Sequence, residues 1–169
     1  MRRLLFLILL SALGAWLVRS YLFEAISVAS GSMEPTLTVG LHFGVNKFVY
    51  RVHPPRHGDI VVFINPIDPD KGMIKRVIAI GGDKVELREK KVFLNGSPIE
   101  EPYVQYKRAH ERLEGDTLGP LTVPEGTVFV LGDNRDVSED STVWKDPKTG
   151  EHVYFVPTGL IKGKLIQLP

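Results

Sequence analysis

The sequence predicts a mainly β protein, an antiparallel sheet or barrel, carried behind a single N-terminal transmembrane helix. Three observations lead there. Beyond residue 23 the chain is a succession of short β-rich runs broken by Gly, Pro, Asn and Asp. Sixteen glycines and twelve prolines supply turns in the number that a many-stranded sheet needs. Ahead of these runs lies an apolar stretch, "LLFLILLSALGAWLV" (4–18), with neither charge nor proline. The expected division is a membrane anchor over 1–23 and an extracytoplasmic β-rich domain over 24–169.

As a helix, residues 4–18 cover roughly 22 Å, short of a hydrocarbon core of ~30 Å. Arg19 can snorkel, and Tyr21, Leu22 and Phe23 extend the apolar face, which makes the span adequate. Trp16 and Tyr21 fall where interfacial aromatics are expected. A cleaved secretory signal shares the basic start and the short apolar run. However, the small residues Ala12, Gly14 and Ala15 lie inside the run and not beyond its end, which favours a retained anchor. Arg2 and Arg3 place the N-terminus in the cytoplasm, although Arg19 weakens the asymmetry. The body then lies across the membrane.

Next, Ile26 to Ser32 reads as an extended strand ending in a turn, with Ile26, Val28, Ser30 and Ser32 on one face. The clearest strands follow: Asp59–Ile64, Met73–Ile80, Lys84–Arg88, Lys91–Leu94 and Thr127–Leu131. Val153–Val156 and Leu160–Leu165 are weaker. Asn95-Gly96 marks a hairpin. Residues 100–118 are polar without alternation and read as a partly helical excursion from the β body.

Composition narrows the chemistry. Apolar residues make up 43% of the 169 and charged residues 24%, so a packed core is feasible. A net charge of +1 gives no reason to expect nucleic acid. With no cysteine, thiol catalysis, disulfides and cysteine-based zinc sites are excluded. Five histidines are scattered. His53 and His57 have metal-pair spacing, but Pro54 and Pro55 between them rule out one helical face, so no metal is expected.

Three stretches concentrate chemistry. "SGSMEPTL" (30–37) sets two hydroxyls about a glycine; alone it is an ordinary turn. In "MIKRVIAI" (73–80) Lys75 and Arg76 are adjacent, so a strand points them to opposite faces and at most one meets water. A buried lysine loses proton affinity, which makes Lys75 a plausible neutral base for Ser32. "LGDNRDVSEDS" (131–141) follows a strand, lacks calcium-loop spacing and reads as a shell that orients the base.

Together with "GDIVVF" (58–63) and "KRVIAIGGD" (75–83), these stretches resemble, in order, the sequence boxes of bacterial signal peptidase I, a membrane-anchored Ser/Lys protease family. The resemblance implies a signal-peptidase-like β domain that removes signal peptides from exported preproteins after Ala-x-Ala. It implies Ser32 as nucleophile and Lys75 as general base, with the Ser30 hydroxyl and the Ser32 amide as oxyanion hole. Ser138 would aim the lysine amine, Asp140 would support the loop, and Arg76 and Asp133 would form an ion pair. Ile26, Val28, Ala29, Met33, Leu37, Met73 and Ile74 match positions lining the substrate pockets. The implied partners are preproteins and the lipid bilayer, with no cofactor. Where the family usually has Arg, this chain has Thr142, so Arg135 or Lys145 is expected to support Asp140. Val137, Ala79 and Gly81 also depart from the pattern. Two further possibilities are a Ser/Lys protease dedicated to a conjugation or pilus substrate and a silent, membrane-tethered peptide-binding scaffold. The retained Ser32 and Lys75 speak against the second.

Overall fold

A computed structural model describes residues 2–21 and 23–166, without the side chains of 2 and 15–23. The interfacial roles expected of Trp16, Arg19, Tyr21, Leu22 and Phe23 lie outside the described residues.

The apolar run forms helix α1 (Arg2–Tyr21). Leu4, Phe6, Leu9 and Leu13 on it are each more than half exposed. A helix that is apolar all round has no single face to lay on a core. Among the described residues no helix is long and apolar enough to cross a membrane.

Strands β1 (Phe23–Ser27) and β2 (His42–Asn46) come next, then the single turn α2 (Val49–Val52). The long hairpin β3 (Ile60–Asn65) and β4 (Asp68–Ile80) leads into β5 (Lys84–Arg88), β6 (Lys91–Leu94) and β7 (Ser97–Pro98). Then follow β8 (Leu118–Thr122), β9 (Thr127–Leu131), β10 (Val156–Pro157) and β11 (Ile161–Ile166). A seven-stranded sheet has the order β1-β2-β11-β3-β4-β9-β10, and a four-stranded sheet the order β7-β6-β5-β8. All the pairings between named strands are antiparallel. The mainly β expectation is met.

The large sheet is buried on both faces where β4 and β9 pair. Val128 and Val130 of β9 join Val61, Phe63, Met73, Val77 and Trp144 in one cluster. Phe129 and Leu131 join Ile78, Val85, Leu87 and Val92 in another, against the small sheet. Strands covered on both sides lose strict alternation and read as continuous apolar runs, which is why "VIAI" and "TVFVL" look as they do.

Several elements differ from expectation. The strand through Ile26 stops at Ser27, because the Val28 amide bonds to Leu41 O (3.0 Å) and the Gly40 amide to Val28 O (2.9 Å), folding the chain back on itself. Ser30 and Ser32 therefore do not share a strand face; Ser30 is exposed and Ser32 buried. Residues 100–117 contain no helix and run as turns. The strand expected at Val153–Val156 forms only at Val156–Pro157. Asn95 and Gly96, at φ 53° and 84°, make the expected hairpin turn. Glu89 and Lys90, at 47° and 72°, make an equivalent turn between β5 and β6 that no glycine announces.

Candidate active site

After the fold-back at Val28, the chain enters a 3-10 turn, Gly31–Met33, which seats Ser32 at the end of a buried apolar wedge. Met33 and Leu37 anchor the wedge in a cluster with Val28, Ile60 and Leu165. Ser30 Oγ and Ser32 Oγ lie 3.3 Å apart. Asn134 fixes the turn from across the molecule: its amide nitrogen donates to Ser32 O (3.0 Å) and its Nδ2 to Gly31 O (3.1 Å).

Lys75 enters from β4, paired across to Val61 of β3, and is only 2% exposed. Met73 and Val77, which flank it on the same face by alternation, are core residues. Burial pushes the amine down to about 8, partly opposed by Asp140, Glu139 and Asp133 and assisted by Lys71. Its neighbour Arg76 is buried as well, so the strand turns neither base to water. Arg76 grips Asp133 with two bonds, Nε to Oδ1 at 2.8 Å and Nη2 to Oδ2 at 2.6 Å. It also donates to Gly58 O (3.0 Å) and lies over the Tyr103 ring, and Thr36 Oγ1 donates to Asp133 at 2.5 Å.

The ladder between β4 and β9 ends at Arg76 and Leu131, which delivers the loop 132–141 beside both groups. Gly132 is the joint. A Cβ there would lie 2.5 Å from Ser32 O and 2.6 Å from Ser138 Cβ, so only glycine lets the loop approach this closely. Ser138 packs its hydroxyl against Gly132, and this Oγ is buried with no hydrogen-bond partner among the described residues; the expected bond to Lys75 is not formed. Asp140 is held by the Gly132 amide (3.0 Å), the Thr142 amide (3.1 Å) and the Thr142 hydroxyl (2.8 Å). The partners expected for it are engaged elsewhere: Lys145 bonds to Glu114, and Arg135 bonds to Glu101 and to Gly132 O. Thr142, whose own side chain replaces them, was missed because its role needs only a backbone reversal two residues after Asp140.

A cavity of about 220 Å³ opens beside Ser30 and Ser32. Ile26, Val28, Ala29, Met33, Met73 and Ile74 line it, joined by Ser27, Val62 and Gly72, which sequence reasoning did not select. Leu37 is fully buried in the core beneath and does not line it. Two larger depressions, about 690 and 740 Å³, take in neither Ser32 nor Lys75. No cluster of metal-binding side chains occurs among the described residues.

A buried lysine with a lowered pKa and a small apolar cavity opening beside Ser32 fit an endopeptidase site, and comparison with known proteins points to the same family. The sequence model of the family described as "Signal peptidase, peptidase S26" matches residues 1–167. The chain belongs to the signal peptidase family, peptidase S26. It is thereby a member of a hydrolase family, the serine endopeptidases of the signal peptidase I type. Among its relatives, signal peptidase I of Pseudomonas aeruginosa is 34% identical over 87% of this chain, which spans 64% of that protein. Signal peptidase I P of Bacillus subtilis subsp. natto is 36% identical over 93% of this chain and 90% of its own length. The crystal structure of a signal peptidase I from Enterococcus faecalis V583 matches with a TM-score of 0.51 and 30% identity, covering 68% of this chain and 99% of that one. The β body is thus a signal peptidase fold.

Proposed function

We propose that this signal peptidase family member removes signal peptides from exported preproteins, cutting after Ala-x-Ala, with Ser32 as nucleophile and Lys75 as general base. The observation that carries the reading is the Lys75 amine: it is 2% exposed and burial brings it down to about 8, so it gives up its proton near neutrality. Neutral Lys75 takes the hydroxyl proton as Ser32 Oγ attacks the carbonyl carbon. The oxyanion gathers against the Ser30 hydroxyl and the Ser32 amide, and donors preorganised there contribute several kcal/mol, on the order of 3. Protonated Lys75 then returns the proton to the leaving amine, and water hydrolyses the acyl-enzyme. The 220 Å³ cavity, with its apolar walls, suits small residues on the acyl side, and an extended substrate can add along the adjoining chain.

On the same reading, α1 anchors the chain in a bacterial cytoplasmic membrane, N-terminus inside, with residues 24–169 on the extracytoplasmic face. Support comes from the exposed apolar side chains of residues 4–13 and from Arg2 and Arg3 ahead of them in the sequence.

The test is cleavage of an exported preprotein by the full chain in detergent. Ser32→Ala and Lys75→Ala are expected to abolish it, and the wild-type rate to fall as pH drops below about 8. Cleavage that survives either substitution, or a flat profile down to pH 5, overturns the dyad.

A further inference from the structure

Residues 101–116, which connect β7 to β8 of the four-stranded sheet, lie along the 132–141 loop as a strap. Gln105 brackets the loop through its backbone, its amide donating to Asp133 O (2.8 Å) and its carbonyl accepting from the Arg135 amide (3.2 Å). Glu101 meets Arg135 at 2.6 Å, both side chains under a tenth exposed. Asp116 and Asp136 share the Lys90 ammonium at 3.2 Å each, which ties strap, loop and the β5–β6 turn together. The strap ends on Thr142. Gly115, at φ 90°, approaches so closely that a Cβ there would lie 2.6 Å from Thr142 Cβ and overlap its hydroxyl.

The same hydroxyl, with the Thr142 amide, holds Oδ1 of Asp140, while the Gly132 amide holds Oδ2. Asp140 is 2% exposed, and its bonds to Thr142 and to the joint at Gly132 set its position relative to Lys75. The charges facing Lys75 are Asp140, Glu139 and Asp133 from the loop and Lys71 from its own strand.

We propose that Thr142 is a positioning residue for the Ser32–Lys75 pair: its hydroxyl, pressed into place by the strap at Gly115, fixes the Asp140 carboxylate that faces the lysine. This rests on the proposed dyad. An arrangement held by a neutral hydroxyl leaves the full carboxylate charge acting on Lys75, and that charge favours the protonated amine. Losing the hydroxyl removes one of the two donors to Oδ1, leaving the Thr142 amide, and the loosened carboxylate interacts less strongly with the amine.

The experiment compares wild type with Thr142→Val, Thr142→Ala and Thr142→Ser in the full chain, reading kcat, KM and the pH profile of preprotein cleavage. Thr142→Val keeps the shape and removes the donor; Thr142→Ala removes it without a methyl beside Asp140. Both are expected to lower kcat at least ~10-fold with KM little changed, and to move the acid limb to lower pH by roughly half a pH unit. Thr142→Ser is expected to restore both. A Lys75 titration followed by NMR in a Ser32→Ala background reads the same displacement without turnover. Valine and alanine variants that match wild type in kcat and in the lysine titration overturn the inference. So does a folded serine variant that fails to restore them. Activity that persists in Ser32→Ala or Lys75→Ala instead overturns the dyad, which separates the two failures.

Discussion

Burying the Lys75 ammonium costs folding free energy whenever it carries charge. Its pKa falls from 10.5 to about 8 on folding, a difference worth about 3 kcal/mol. Between those values the unfolded chain holds a proton that the folded chain has released, so stability from this residue rises with pH across that window. Below about pH 8 both states are charged and the whole cost is present. Lys75→Met, which keeps the length and removes the charge, is therefore expected to stabilise the fold at pH 7 by up to about 3 kcal/mol while abolishing activity. The gain is expected to vanish near pH 10.5. Urea unfolding of both proteins at the two pH values measures this, and an equal difference at each refutes it. The residue itself was legible in the sequence, because a base inside "MIKRVIAI" has nowhere apolar to go unnoticed. Arg76 was not legible in the same way: its partner Asp133 lies 57 residues on, and only the resemblance paired them. Thr142 was read as a defect in support, whereas its own hydroxyl supplies the support.

At the scale of elements, the site depends on where β4 and β9 stop pairing. Strands buried on both faces were visible as apolar runs, and the end of their shared ladder at Arg76 and Leu131 releases the loop toward Ser32. Less visible were the elements whose partners are remote. The segment HFGVN (β2) is held by β1 and β11 and shows little apolar alternation of its own. The strap showed only polarity, because its contacts are ion pairs and backbone bonds to a loop some thirty residues away, as between Glu101 and Arg135. Gly132 links these elements, and it gives the second prediction. Gly132→Ala sets a Cβ 2.5 Å from Ser32 O, forcing the loop or the serine turn to move. A displacement of the order of 1 Å costs about 100-fold in rate. The expected result is a kcat lowered at least that far. The β4–β9 ladder stays intact, because it ends one residue earlier and the clusters on both its faces are untouched. Preprotein cleavage together with circular dichroism checks this. A variant with wild-type turnover refutes the close approach, and one that loses its β signal shows that Gly132 serves the fold instead.

For the whole molecule, the three apolar clusters are built from residues of the β body, and no described side chain of α1 joins them. Anchoring is the proposed contribution. Confining enzyme and membrane-threaded substrate to one surface raises their effective concentration, by a factor of the order of 100 or more. A chain lacking residues 1–23 is therefore expected to cleave a soluble signal-peptide substrate in detergent at close to the full-length rate. On a preprotein inserted in liposomes, the same truncation is expected to lower the rate about 100-fold. The two substrates separate the alternatives. Equal loss on both means that α1 supports the catalytic body, most directly through β1, which leads straight into the Ser32 turn. No loss on either removes the anchor from the mechanism. Loss confined to the liposome substrate is the outcome that makes position in the bilayer, and not extra packing, the reason this body carries an apolar helix.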